Sequence, residues 1–315
     1  MQQHPHRWVW HGVYALVLVA LGIAVHKASE RIDYIWRWER LPQYVISTEG
    51  EELRAPFDGF VALAPDRKTL TLTELKGAGR EVIGGYDDLL VGEGDLVFQN
   101  DTVARKKGLR AGPLLIGLGV TLKISALSLV FALVLGMIAG LGRIAQNPAA
   151  RNLAATYVEV IRGTPLLVQI FIFYFFIGSV LDLSAFTAGV AALSVFTGAY
   201  VAEIIRAGIE GVPRGQSEAA RSLGMTHIQT LQHVVLPQAL RRSLPPLAGQ
   251  FISLIKDSSL VSVMALTDLT KAGREVVSST FSPFEIWFTV AAMYLLLTGS
   301  LSIVVRRLEK RYAHG

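Results

Sequence analysis

Two adjacent charges, Lys256 and Asp257, followed by Ser258 and Ser259, interrupt an otherwise apolar stretch, LPPLAGQFISLIKDSSLVSVMA, at 244–265. A Lys or Asp at the centre of a membrane helix costs about 2.5–3.5 kcal/mol on insertion scales, so such groups normally face a bundle interior or a water-filled path. Two readings stand at this point: a wall of a translocation pathway, or a self-neutralising pair in a structural kink. Tyr200, Glu203 and Arg206 lie along one face of another helical run. There, Glu203 and Arg206 either simply pair near the helix end or gate a path. Gln169, in LLVQIFIFYFFIGSV, is a further polar candidate for a path or gate. The stretch RGTP, Arg162, Gly163, Thr164 and Pro165, puts a glycine and a helix-interrupting proline at the mouth of that run, as an inner-mouth element or an ordinary helix-entry signal.

Enzymatic signatures are missing. The chain has no G-x-x-x-x-G-K-[ST], so it carries no phosphate-cradling loop of its own, and neither H-E-x-x-H nor G-x-S-x-G occurs. Cysteine is absent, which excludes disulfides, zinc-thiolate sites and cysteine nucleophiles. The HPH at His4–His6 lacks a third ligand and reads as a solvated terminus. No catalytic, metal or cofactor residue is expected; catalysis belongs to a partner.

The polar groups sit in a chain built for lipid. Of 315 residues 51% are hydrophobic and 17% charged, against roughly 25% charged in a soluble domain, and the mean hydropathy is +0.43. The net charge of +5 is scattered between apolar runs with no basic stripe and no interleaved aromatics, which argues against nucleic acid as a partner. Six segments approach the ~20 apolar residues of a transmembrane helix: 9–25, 113–141, 157–180, 184–205, 244–265 and 286–305. The first is read as a retained helix rather than a cleaved signal peptide, since no A-x-A site follows it. Lys123 reads as a snorkelling residue in the second. The connections at 142–156 and 206–243, with the C-terminus, are rich in arginine and lysine, which places them and both termini in the cytoplasm.

Residues 26–112 then lie outside, and their middle, 53–104, alternates short β-branched runs with Gly, Asp and Asn turn signals. Four to six strands are expected there, in a small external β module. Its APFDGFV and VGEGDLVFQNDTVA resemble the lipoyl-like sandwich fold, without a lysine in a lipoylation hairpin.

One segment is neither apolar enough to span nor loose enough to link: EAARSLGMTHIQTLQHVVLPQAL, at 218–240. Residues 218–223 are good helix formers, Gly224 can take the left-handed conformation that ends a helix, and Thr226 to Gln229 fits a capping box that starts another. Two short helices joined at a glycine elbow and closed off by Pro237 are expected, as a docking element.

This segment resembles the EAA loop of ABC importer permeases: Glu218-Ala219-Ala220, three residues, Gly224, nine residues, Val234 where isoleucine is usual, one residue, then Leu236-Pro237. The surrounding YVEVIRGTPLLVQ, GAYVAEIIRAGIEGVPRGQ and LPPLAGQFISLIKDSSLVSV are similar to the polar amino acid branch, which covers histidine, glutamate, glutamine, arginine and opine systems. The resemblance spans about 108–312. It implies an all-α polytopic membrane protein of the type I ABC importer transmembrane fold, here with six helices and the β-rich external insert. It implies an inner-membrane permease subunit that pairs with a second permease subunit, identical or similar. It also implies two cytoplasmic ATPase subunits that bind the ATP, and a periplasmic solute-binding protein that delivers amino acid. Glu218, Ala219, Ala220, Leu223, Gly224 and Pro237 would couple to the ATPase. The expected division is 1–26 as an N-terminal transmembrane helix and 27–107 as a periplasmic segment with the β-rich module at about 53–104, and the resemblance makes 108–312 the permease domain with its cytoplasmic loop at 206–243. Alternatives are a permease for an opine or other small polar solute, or a membrane adaptor whose external β module does the work.

Overall fold

The computed structural model describes residues 7–47, 51–65 and 68–313; His4–His6 lie outside these. The described residues up to Arg40 form a unit of their own. Its helix α1, Arg7–Glu30, is apolar over Trp10–Glu30. Past its end Trp36 donates from Nε1 to Ser29 Oγ at 3.0 Å and stacks on Trp38 with ring centroids 5.3 Å apart.

The second unit begins with a short helix α2, Pro42–Val45, and nine strands among the described residues: β1 (Ile46–Ser47), β2 (Glu51–Arg54), β3 (Gly59–Leu63), β4 (Thr69–Glu74), β5 (Arg80–Gly84), β6 (Asp88–Leu89), β7 (Leu96–Val97), β8 (Thr102–Lys106) and β9 (Arg110–Ala111). All pair antiparallel, in sheets ordered β5-β4-β3-β7 and β2-β8-β6, with β1 and β9 forming a separate pair. Alternation decides which face is inside: in β4, Leu70 and Leu72 are fully buried between threonines. They share one core with Val61, Val97, Val103 and Ala104, so both larger sheets contribute to it. Seven strands between 51 and 106 exceed the expected four to six because two of them are two-residue pairings too short to register as a hydrophobic run.

Helices follow from Pro113: α3 (Pro113–Arg143), α4 (Pro148–Arg162), α5 (Leu166–Phe171), which passes through a π-helical stretch into α6 (Gly178–Val180), and α7 (Ala185–Glu210). After them come α8 (Arg214–Ser222), α9 (His227–Thr230), a second π stretch at Leu231–Val235, α10 (Leu236–Asp257), a 3-10 turn at Ser258–Val263, α11 (Leu269–Thr280) and α12 (Pro283–Ala313).

The bundle is organised on α3 against α7. Small residues let the two backbones approach, as is usual between membrane helices: a Cβ on Gly136 would lie 2.4 Å from Val201 Cγ1, and one on Gly140 2.9 Å from the Ala202 carbonyl oxygen. Hydroxyls complete the seam, Ser194 Oγ donating to the Val190 carbonyl at 2.5 Å and Ser128 Oγ to the same oxygen at 3.4 Å. Lys123 is exposed on the outer face of α3.

Among the described residues four helices are long and apolar enough to cross a membrane, α1, α3, α7 and α12; the pair at Pro148–Arg162 and Leu166–Val180, bent by 103°, makes a fifth if it counts as one span. The stretch at 244–265 is not among them. It falls across the end of α10, which carries Pro245 and Pro246 inside it, and the 3-10 turn that follows. The connection at 267–283 also holds more than a loop: α11 is an amphipathic helix capped by Asp268, whose carboxylate accepts from the backbone N–H of Lys271 at 2.9 Å and Thr270 at 3.2 Å.

Candidate functional site

The expected polar candidates gather into three places. The first is the bend between α4 and α5. The Gly163 N–H donates to the Glu159 carbonyl at 2.8 Å, and Pro165 caps the next helix in an extended conformation. Gln169 is almost fully buried and reaches back over the bend, its Nε2 donating to the Ile161 carbonyl and to Thr164 Oγ1, both at 2.7 Å. The RGTP turn and Gln169 are therefore one bracket holding the 103° angle, with Gln169 Oε1 left buried and without a partner.

The second is a charge cluster where α3, α4 and α7 end together. Arg206 forks onto Glu203, with Nη2 at 2.5 Å and Nε at 3.1 Å, and also binds Glu210. Arg143 and Arg162 each approach Glu203 at 4.0 Å, and the Arg162 guanidinium lies 5.2 Å from the centre of the Tyr200 ring. Tyr200, Glu203, Arg206 and Arg162 thus converge. Arg143 belongs to the same cluster and could be found only through the folded packing, since it closes a helix 60 residues from Glu203 in the sequence. Three arginines on two glutamates leave a net positive cluster joining three helices.

Lys256 and Asp257 form the third place. They sit at the step from α10 into the 3-10 turn, with Lys256 exposed and Asp257 half-buried. Among the described residues no ion pair joins them, because successive helical residues point about 100° apart. Ser258 is buried and donates to the Ile255 carbonyl at 2.7 Å, closing the last turn of α10. The broken helix puts both charges and Ser259 where the regular hydrogen-bond ladder stops.

The elbow at 214–237 is the element whose local chemistry the sequence specifies most fully. α8 ends in a Schellman motif: Gly224, at φ +83°, donates to Arg221 at 2.9 Å while Met225 reaches back to Ala220 at 3.2 Å. Thr226 and Gln229 then form the reciprocal capping box, the Gln229 N–H donating to Thr226 Oγ1 at 3.3 Å and the Thr226 N–H to Gln229 Oε1 at 2.9 Å. Ala220 is buried beneath the elbow, while Glu218, Ala219 and Gly224 face out and Leu223 is 85% exposed. Pro237 does not close the second helix as expected. It stands at the second residue of α10, inside a helical run that continues from α9, and the π stretch before it carries the chain through without a stop.

Residues 132–314 match the family described as binding-protein-dependent transport system inner membrane component. The chain belongs to this family. The match includes the elbow, the charge cluster and the helix break, and leaves the β strands outside. The glutamine transport system permease protein GlnP of Escherichia coli (strain K12) is 43% identical over 203 residues, covering 63% of this chain and 93% of that protein. The L-cystine transport system permease protein TcyB of Bacillus subtilis (strain 168) is 42% identical over 197 residues, covering 62% and 84%. A solved structure of an amino acid ABC transporter with histidines is 41% identical, covers 63% of this chain and 94% of the matched one, and superposes with a TM-score of 0.60.

Proposed function

We propose that this chain is the permease subunit of an ATP-driven importer that carries a polar amino acid across the inner membrane by alternating access. The observation that carries the reading is the elbow: a polar helical pair whose angle is fixed by a Schellman glycine and a capping box, presenting an 85% exposed leucine, Leu223, at the end of the bundle. An isolated anchor has no need of a rigid apolar knuckle there; a subunit pushed by an ATPase does. Glu218, Ala219, Leu223 and Gly224 form the face that a partner ATPase dimer would grip, with Pro237 beyond it in the helix that leads away from the elbow. The ATP would bind that partner and not this chain. A second permease copy, identical or similar, and an external solute-binding protein complete the assembly. The names of the relatives, glutamine and cystine permeases, support an amino acid as the solute.

In this reading both termini and the elbow are cytoplasmic, 26–112 is external, and six segments cross, the sixth being α10 with its 3-10 turn. Lys256, Asp257 and Ser259 line the path at the step from α10 into the 3-10 turn, where charge can face water instead of lipid. The charge cluster around Glu203 closes the inner mouth, and the Gln169 bracket holds its shape. The test is solute-stimulated ATP hydrolysis by the reconstituted assembly, screened over amino acids. Stimulation by a polar amino acid, lost on Asp257→Asn, is the expected result; hydrolysis indifferent to every amino acid would sink the substrate assignment. Orientation is read separately by labelling single cysteines at Glu81 and Gln216 from either side of the membrane, and Glu81 reached only from the cytoplasm would reverse it.

A further inference from the structure

Behind the elbow, on the side away from the exposed Leu223, lies a cavity of about 810 Å³ that the coupling role does not use. Its walls come from four helices and from the π stretch after α9, which adds Leu231 and Val235. Ile144 caps α3, and Ile209 and Glu210 end α7; α8 contributes Arg214, Ser217 and Arg221, and α9 contributes His227 and Thr230. Arg214, Ser217 and Arg221 are spaced three and four residues apart, so they form one face of α8 turned into the cavity. Among the described residues neither Arg214 nor Arg221 has a carboxylate partner. The one acid on the wall, Glu210, is already bound by Arg206. Thr230 is 3% exposed and lines the cavity, yet its Oγ1 is buried with no hydrogen-bond partner. A buried hydroxyl without a partner costs about 1–3 kcal/mol, a cost that a bound hydrogen-bonding group would relieve.

We propose that this cavity is a site for the phosphate headgroup of an anionic phospholipid. The ligand chemistry follows from the wall: two guanidiniums without carboxylate partners and a hydroxyl suit a phosphate diester. The lipid source follows from the depth. Two long apolar helices, α3 and α7, end at the cavity, which puts it at the depth of the headgroups, over the buried cluster of Ile209, Val212 and Val235. Basic pockets at the cytoplasmic ends of membrane helices are where acidic headgroups bind. That this leaflet is the cytoplasmic one rests on the orientation proposed above. A headgroup seated there would touch α8, α9 and the end of α7 together, bracing the elbow against the span that carries the Glu203 cluster.

The test is direct binding. The full-length chain, purified in detergent, is titrated with phosphatidylglycerol or phosphatidylcholine and the bound lipid counted by native mass spectrometry. Phosphatidylglycerol is expected to bind in preference, and the pair Arg214→Gln with Arg221→Gln to weaken it about tenfold or more, while Thr230→Val weakens it about threefold. The arginines are exposed, so the double variant should fold; elution as a single species with unchanged melting checks that. Equal binding of both lipids, or an unchanged phosphatidylglycerol affinity in the double variant, overturns the proposal. Inorganic phosphate that displaces the lipid at millimolar concentration, with the same dependence on the arginines, overturns the lipid assignment in favour of a free anion. Loss of co-purifying ATPase from the double variant with lipid content unchanged would give the arginines to the ATPase, and likewise overturns it. No solute, gradient or sidedness enters the measurement, so a wrong substrate or orientation leaves its outcome intact.

Discussion

The α3–α7 seam and the elbow both depend on glycine, for opposite reasons. At Gly136 the backbone conformation is ordinary and the space is not: Val201 stands where a Cβ would go. At Gly224 the space is open, with nothing within 4 Å, and the conformation is special, at φ +83°. The seam therefore stores its constraint in contacts between two helices, and the elbow stores its constraint in one torsion. A contact constraint holds parts together; a torsion constraint sets an angle. The bundle core is built to stay and the elbow to transmit.

That contrast can be broken most directly at the seam. Gly136→Ala drives a methyl to 2.4 Å from Val201 Cγ1 with the Gly198 carbonyl oxygen 2.9 Å away, and overpacking of this kind costs about 1–3 kcal/mol, occasionally more. A clear fall in melting temperature by fluorescence-detected size exclusion is expected, and Gly136→Leu should yield little monodisperse protein. Unchanged melting of both would show that the seam is loose.

Gly224→Val is the matching change at the elbow. It strains one torsion by about 1–3 kcal/mol, equivalent to roughly 5- to 150-fold in a coupling equilibrium, without filling any occupied space. Melting should match the parent while solute-stimulated hydrolysis drops by a factor in that range, and Gly224→Asn, which tolerates the left-handed region, should recover most of it. Valine and parent alike in coupled hydrolysis would reduce Gly224 to a helix stop.

The smallest effect is expected where the two regions meet. Glu203→Gln removes the shared partner of Arg206, Arg143 and Arg162. The side chains are 19% to 41% exposed, so the loss is about 0.2–1 kcal/mol and melting barely moves. Loosening of the inner mouth should raise hydrolysis in the absence of solute about two- to fivefold; basal hydrolysis at the parent level would assign the cluster to packing alone.

Legibility followed range. The capping box of Thr226 and Gln229 and the stop at Gly224 could be read directly because every partner lies within a few residues. The bend at Gly163 and Pro165 was readable as an interruption, but its 103° angle and the Gln169 bracket needed the folded chain, since hydrogen bonds across a bend leave no periodic trace. Arg143 joined Glu203 through tertiary packing, which a single sequence does not record. Pro237 misled because a proline ordinarily ends or kinks a helix, and the π stretch that lets the run pass through it has no side-chain signature. The two-residue strands and α11 were missed for a related reason: a pairing of two residues is below any alternation count, and α11 mixes Lys271, Arg274 and Glu275 with its apolar face like a loop.

The pairing of β1 with β9 has a geometrical corollary. Ile46 stands opposite Ala111 and Ser47 opposite Arg110, so the chain leaves for the sheets and returns from them at a single doorway about 5 Å wide. An excursion that starts and finishes at one point can be cut out and the stumps joined by a two-residue Asn-Gly hairpin turn without moving α2 or the start of α3. The sheets are in this sense a cassette: a foreign domain whose termini lie side by side could be spliced into the same doorway, with the helices after Pro113 left in their own register.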